Sequence, residues 1–297
     1  MCALRMQRQV TAGVCNHGRK MTVFGEYLCY GAARRISKVI RRRIMRVENA
    51  IVAARRDLAR GIFELELCAP EICGEAIAPG QFVQVSLNDA SRLLARPISV
   101  RDVRGDRLVL DIQAKGEGTQ QLSRLEPGET LRLTGCMGNG FTWDKDGYYL
   151  LVGGGIGMAP VLFLRERMQA RNKLIAGFRS SEYAFGVDGP DTVVATEDGS
   201  LGEKGFVTAP LERELKAGAP DGVMCCGPTP MLKAVQRLCA EYGVRCQLSL
   251  EERMGCGLGA CLVCNCKVRA QSEQGWQYKR VCVDGPVFDA SEVMFDG

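Results

Sequence analysis

Tyr148 to Pro160 reads YYLLVGGGIGMAP, and the rest of the chain sorts itself around this stretch. Tyr148 to Val152 is an unbroken apolar run, as a strand buried on both faces requires. Gly153-Gly154-Gly155-Ile156-Gly157 then ends the strand, and the pattern predicts a helix from Ala159 to about Met168. Backbone N–H groups at such a helix start can face a pyrophosphate, which makes Gly153, Gly155 and Gly157 nucleotide-binding candidates. A tight turn without a ligand is the plainer alternative. The dinucleotide signature is incomplete, because Phe178-Arg179-Ser180 stands where an acid would take the ribose hydroxyls. The uncharged run from Gly147 to Leu164 holds five glycines and a proline, so it predicts a strand and loop and not a membrane span.

Downstream the same grammar repeats. Strands are expected at Lys173 to Phe178, Thr192 to Thr196, Gly222 to Cys226 and Cys246 to Leu250. Helices are expected at Thr208 to about Lys216 and at Pro230 to Tyr242. That alternation predicts a parallel sheet with helices on both faces. Cys225-Cys226-Gly227-Pro228 falls at the carboxyl edge of one of these strands, where open sheets bind ligands. Cys226, Gly227 and Pro228 are therefore candidates to lie against a nicotinamide; a helix-starting turn is the alternative.

Upstream the elements shorten. Met45 to Val52, Gly61 to Leu67, Gln81 to Ser86, Pro97 to Val100, Leu108 to Ala114 and Leu131 to Thr134 read as strands between Gly, Pro and Asp turns. A short helix fits between Thr119 and Leu125. The set predicts a small antiparallel barrel. Within it, Arg96-Pro97-Ile98-Ser99 places an arginine that can clamp a diphosphate and a hydroxyl that can reach an isoalloxazine edge. Lys115 to Thr119 (KGEGT) is a flexible loop ending in an N-cap, again suited to phosphate. Each is weak alone, and a surface arginine is the alternative.

At the other end stands Met254 to Cys266, MGCGLGACLVCNC. Cys256, Cys261 and Cys264 have the spacing C-x4-C-x2-C, and Cys282 comes later in VCVDGP. This is the plant-type [2Fe–2S] ligand pattern. Zinc is the rival, but structural zinc sites usually present two short cysteine knuckles. Cys266 reads as a free thiol in a strand or as a substitute ligand. A hairpin is expected within Lys267 to Val283.

The chain has 297 residues and 15 cysteines, too long and too apolar for a disulfide scaffold, so a reducing cytoplasm is expected. The net charge of +5 conceals an asymmetry. Residues 1–46 carry eleven Lys or Arg against the single acid Glu26, whereas the remainder has 28 basic and 33 acidic residues. The leader, 1–42, is foreign in composition to the body of the chain. It is read as disordered, or as a start codon set ahead of Met21 or Met45; targeting or a nucleic-acid or membrane-surface patch are the alternatives. No apolar segment precedes a small-residue cleavage site, so no secretory signal is expected. The one histidine, His17, lies in the leader, so no histidine-based acid–base machinery is expected in the body. The expected divisions are 1–42 leader, 43–145 barrel, 146–248 α/β domain and 249–297 cluster domain.

The order of these motifs resembles the ferredoxin–NADP reductase superfamily, and within it the electron-transfer subunits of class 1B dihydroorotate dehydrogenases. The resemblance rests on RPIS at 96–99, GEGT at 116–119, GNGF at 138–141, LVGGGIGMAP at 151–160, CCGPTPML at 225–232, EERMGCGLGACLVCNC at 251–266 and CVDGPVF at 282–288. It implies FAD on the barrel, held by Arg96 and Ser99 with Pro97 and Ile98 between them, and by Gly118 and Thr119. It implies NAD(H) on the α/β domain, with Cys226 near the nicotinamide, and a [2Fe–2S] cluster on Cys256, Cys261, Cys264 and Cys282. It also implies an FMN-containing catalytic subunit as partner, in a 2+2 heterotetramer that feeds electrons from dihydroorotate to NAD+ in pyrimidine synthesis. Flavoprotein subunits of sulfide dehydrogenase or of electron-bifurcating ferredoxin:NADP reductase are the alternatives. Those relatives often carry an aspartate in a DGTGxCG-type loop, where this chain has Met254-Gly255-Cys256-Gly257. A self-contained oxygenase reductase is a further rival. A nucleic-acid or surface-binding protein is disfavoured, because the body is acidic and lacks a basic aromatic stripe.

Overall fold

The computed structural model describes residues 45–87, 93–218 and 220–295. The leader expectations and His17 lie outside the described residues. The described chain forms three sheets.

The first sheet is antiparallel and joins β1 (Arg46–Ala59), β2 (Ile62–Cys68), β3 (Phe82–Ser86), β4 (Arg96–Ser99), β5 (Asp102–Arg104), β6 (Arg107–Gln113) and β7 (Thr130–Met137), in the order β4-β3-β7-β1-β2-β6-β5. Two short helices, α1 (Pro70–Cys73) and α2 (Glu117–Leu122), fill its connections. β1 is longer than its apolar residues suggest. Its first half pairs with β7 and its second half with β2, so the charged run past Val52 stays extended, with irregular register at 52–54 and 57–59. Strand alternation sends Val83 and Val85 into a core shared with Leu65, Leu110, Leu133 and Phe163. Phe82 and Met137 face the other way and join the core of the second sheet. The edge strands β4 and β5 are not hydrogen-bonded to each other, so the expected barrel is observed as a seven-stranded antiparallel sheet.

The second sheet runs β11-β10-β9-β8-β12-β13-β16, built from β8 (Tyr148–Gly154), β9 (Arg171–Phe178), β10 (Thr192–Thr196), β11 (Glu203–Lys204), β12 (Gly222–Cys226), β13 (Cys246–Ser249) and β16 (Val287–Asp289). Its pairs are parallel except for β16, which is antiparallel to β13. That edge strand corrects the expectation of a purely parallel sheet. Helix α3 (Met158–Arg167) covers one face through Tyr149, Leu151 and Met224. Helices α4 (Thr208–Ala217) and α5 (Thr229–Glu241) cover the other through Leu150, Val152 and Val223. Chain order reverses between β8 and β12, which opens a crevice at their carboxyl ends.

The third sheet, β15-β14-β17, contains the expected hairpin of β14 (Asn265–Arg269) and β15 (Trp276–Arg280), with β17 (Val293–Met294) added. Among the described residues no helix is long and apolar enough to cross a membrane.

Candidate functional site

Two glycine loops meet at the crevice between β8 and β12. Gly153 and Gly154 end β8, and Gly155 to Gly157 form a single helical turn before α3. A side chain on Gly157 would fall 2.5 Å from the Cys226 carbonyl oxygen. One on Gly154 would fall 2.5 Å from Met231 Sδ, and one on Gly227 would come within 3.2 Å of the Gly154 backbone. A side chain on Gly153 would strike Met158 Sδ. Gly154 and Gly157 are therefore glycine because the two loops pack closely there, while Gly153 makes room for Met158 of its own segment. Gly155 differs: it has φ +53°, and the direction its side chain would take is open space.

Cys226 ends β12 opposite Ser249 of β13. Burial pushes its thiol up to about 12, against a hydrogen bond from the Ser249 hydroxyl. Burial thus favours its neutral thiol form.

On the first sheet, Arg96 to Ser99 form β4, the edge strand where a proline is tolerated. Strand pairing sets Phe82 against Ser99 and Gln84 against Pro97, so these four residues share the face away from the sheet's own core. Ile98 points into that core. A Cβ on Gly118 would collide with the Arg96 guanidinium, so RPIS and GEGT, 20 residues apart in sequence, are one cradle. Thr119 shapes this loop: its Oγ1 accepts from the Lys115 and Gly116 amides at 3.0 and 3.1 Å and donates to the Gly116 carbonyl. Its hydroxyl is thus engaged within the turn.

The cysteine loop presents its four thiols as two pairs. The Cys256 amide donates to Cys261 Sγ and the Cys261 amide to Cys256 Sγ, both at 3.4 Å, while the Leu258 amide donates to Cys256 Sγ at 3.3 Å. Partial desolvation acts to raise the Cys256 thiol, but the amides of Leu258, Cys261 and Ala260 bring it down to about 6. Cys264 and Cys282, both buried, hydrogen-bond to each other. Burial and that bond push Cys282 up to about 12, and the Gly259 amide works the other way. Four thiols with backbone amides turned toward sulfur are donors of the kind that suits an iron–sulfur group. Cys266 is buried on β14, pushed up to about 11 by desolvation.

Three residues tie these parts together, Asn139 from a motif the sequence showed and Arg280 and Gln84 that sequence reading passed over. Asn139 of the GNGF turn donates to the Val287 carbonyl and accepts from the Val287 amide, both at 2.9 Å, fastening the first sheet to the segment after Cys282. Arg280 reaches from β15 to the Gly259 carbonyl and to Asp284 Oδ2, each at 3.2 Å, and so braces the cysteine loop. Gln84, a polar residue inside the apolar strand FVQVS, lies against Gly257 between the two cysteines of the first pair. That lone polar letter was the available signal. A fourth link ties the first sheet to α3. Arg101 lies 3.5 Å from Asp111 and donates to both Glu166 carboxylate oxygens, and Arg167 donates to the Val103 carbonyl. Burial raises Asp111 to about 7 despite Arg101.

Residues 251–294 match the iron-sulfur cluster binding domain of dihydroorotate dehydrogenase B. The chain is 43% identical over 252 residues to the dihydroorotate dehydrogenase B (NAD(+)) electron transfer subunit of Caldanaerobacter subterraneus subsp. tengcongensis, covering 83% of this chain and 98% of that one. It is 40% identical to the corresponding subunit of a Geobacillus species, covering 84% of this chain and all of that one. Among solved structures it resembles an NADH-dependent reduced ferredoxin-NADP oxidoreductase, with a TM-score of 0.72 at 26% identity over 83% of this chain and 90% of the other. Phthalate dioxygenase reductase shares the fold, with a TM-score of 0.54 at 20% identity over 80% of this chain and 77% of the other. The chain belongs to the family of dihydroorotate dehydrogenase B electron-transfer subunits, with a fold of the ferredoxin–NADP reductase type.

Proposed function

We propose that this chain carries electrons from dihydroorotate, oxidised at the FMN of a partner catalytic subunit, through a [2Fe–2S] cluster and FAD to NAD+. The observation that carries the reading is the seating of the cysteine loop on the strand next to Arg96-Pro97-Ile98-Ser99, through Gly257 and Gln84. In this reading Cys256 and Cys261 hold one iron and Cys264 and Cys282 the other. Arg96 and Gly118 hold the flavin diphosphate, with Thr119 fixing the loop and Ser99 at the ring edge. The turn at Gly155, where a side chain would meet open space, and the Cys226-Gly227-Pro228 loop receive the nicotinamide nucleotide. When bound, FAD supplies the exchange between hydride at nicotinamide and single electrons at the cluster. The chain's own residues bind, orient and exclude water; no acid–base residue is assigned.

We read the divisions as 43–145 for FAD, 146–248 for NAD and 249–297 for the cluster. The first sheet is read as a barrel, since both its edges, through Ile98 and Val103, pack on one core. The assembly is read as a cytoplasmic 2+2 heterotetramer. NAD is favoured over NADP by the family, although the exposed Arg179 comes directly after β9, where a 2′-phosphate would sit. The fold likeness alone also suits a bifurcating reductase, but the 43% identity over nearly the whole of a dihydroorotate dehydrogenase relative decides against it.

Steady-state kinetics test the reading. Alone, the chain should pass electrons from NADH to an artificial acceptor and show no turnover with dihydroorotate. Mixed with its FMN subunit it should couple dihydroorotate oxidation to NAD+ reduction. A loaded pair that fails to do so overturns the pathway, and a clear preference for NADPH overturns the nucleotide assignment.

A further inference from the structure

Cys226 and Ser249 are register partners at the carboxyl ends of the parallel strands β12 and β13. Cys246, Leu248 and Leu250 all enter the core under α4 and α5, so strand alternation sends Ser249 to the opposite face of the sheet. Cys225 lies in that same core, whereas Cys226 packs with the core under α3. The two side chains therefore share a face, and the Ser249 hydroxyl donates to the Cys226 sulfur. Ser249 is 5% exposed, while Cys226 is left half-buried at the end of β12 that borders the crevice. The backbone of Cys226 is already fixed, by pairing with Gly153 of β8 on one side and Ser249 on the other. What stays free is rotation about one side-chain bond, with three staggered positions. A buried donor on the neighbouring strand selects among them. Ser249 is itself held, because it also pairs with Val287 of β16. A Cβ on Gly80 would fall 2.8 Å from that valine, and Gly80 leads into β3, where Phe82 pairs with Ser99. The serine thus stands between the nucleotide crevice and the RPIS strand.

Resting on the function proposed above, we infer that Ser249 is a positioning residue for hydride transfer: its hydroxyl holds the Cys226 sulfur in the rotamer that meets the nicotinamide ring. It touches neither the nucleotide nor the flavin and acts through Cys226 alone. Its effect falls on the placing of the ring and not on the grip on the rest of the nucleotide.

The test uses the full chain with its cofactors bound and reads a double-mutant cycle over Ser249→Ala and Cys226→Ala. Ser249→Ala should slow reduction of the bound FAD by saturating NADH about tenfold, as loss of one positioning hydrogen bond implies. Equilibrium titration should show NAD+ held a few-fold more weakly, and ADP-ribose, which lacks the ring, held as before. In the Cys226→Ala background the same substitution should change neither the rate nor NAD+ affinity. An undiminished rate in Ser249→Ala overturns the proposal. An equal loss in both backgrounds, or an equal loss of NAD+ and ADP-ribose affinity, also overturns it, since either marks damage to the crevice at large. Should Ser249→Ala fail to fold, Ser249→Cys, which keeps the volume and exchanges the hydroxyl for a weak donor, takes its place in the cycle with the same outcomes. A Cys226→Ala chain that matches the parent in rate and NAD+ affinity overturns the placing of the nicotinamide at Cys226, which separates failure of the functional reading from failure of this inference.

Discussion

The glycine crossing at the ends of β8 and β12 and the cysteine loop at 254–266 look alike in sequence and are built in opposite ways. At the crossing, glycines let two backbone segments touch, so it is held by the chain's own packing. In the cysteine loop, amide N–H groups point at sulfur and Leu258, Leu262 and Val263 stand 52–59% exposed, so little apolar packing holds it. One site is shaped by what the chain buries, the other by what it is made to hold. A glycine run is therefore not one signal: it marks close approach in the first case and sulfur-directed amides in the second.

The largest expected effect tests the second half of that contrast. Cys264→Ser should abolish iron and sulfide binding altogether, whereas Cys266→Ser should retain both, measured by metal and sulfide analysis of anaerobically purified protein. Loss in both variants would mean that the buried thiol on β14 is a ligand and the pairing is wrong.

Next comes the cradle at Arg96, which lies between the two extremes. On the proposed flavin assignment, Arg96→Ala should leave a diphosphate charge unpaired and weaken FAD retention by orders of magnitude, roughly 2–5 kcal/mol if the pair is buried. Gly118→Ala should do much of the same without touching Arg96, because its methyl displaces the guanidinium. Equilibrium FAD titration decides, and full retention in Gly118→Ala would separate the two motifs.

The crossing itself is probed by thermal unfolding. Gly157→Ala drives a methyl to 2.5 Å from the Cys226 carbonyl oxygen and should destabilise by roughly 2–3 kcal/mol. Gly155→Ala meets open space and should cost only about 1 kcal/mol for its left-handed backbone. Equal effects would erase the claim that the two loops meet backbone to backbone at Gly157.

The smallest effect concerns the link that fixes α3, and with it the crossing, to the first sheet. Asp111 has a folded pKa raised from 3.8 to about 7, so the folded state holds its proton more tightly than the unfolded chain. Its contribution to stability is fully present below about pH 4 and is lost as pH rises through about 7. Asp111→Asn should therefore raise stability by about 1–2 kcal/mol at pH 8 and by progressively less toward pH 5, read from melting curves.

Much of the architecture was legible in the sequence for identifiable reasons. β8, β12 and α5 announce themselves by apolar runs or period, and the cysteines by spacing. β5, β11 and β17 are two or three residues long, too short to carry a pattern. β16 pairs with a strand 38 residues earlier, through register that no local window contains. Motif positions likewise said where ligands could bind, but not that Gly118 lies under Arg96 or that Gln84 meets Gly257. Those are tertiary juxtapositions, set by how the sheets pack.

The segment from Cys282 to Met294 has a consequence for biogenesis. It supplies a thiol of the second pair, is clasped by Asn139, closes the edge of the second sheet as β16 and extends the third as β17. On a ribosome these residues emerge after everything they fasten. A nascent chain cannot complete the cysteine site before Cys282 has emerged. The second pair of thiols therefore exists only once Cys282 has been made, and a chain stopped before it would hold Cys264 without its partner.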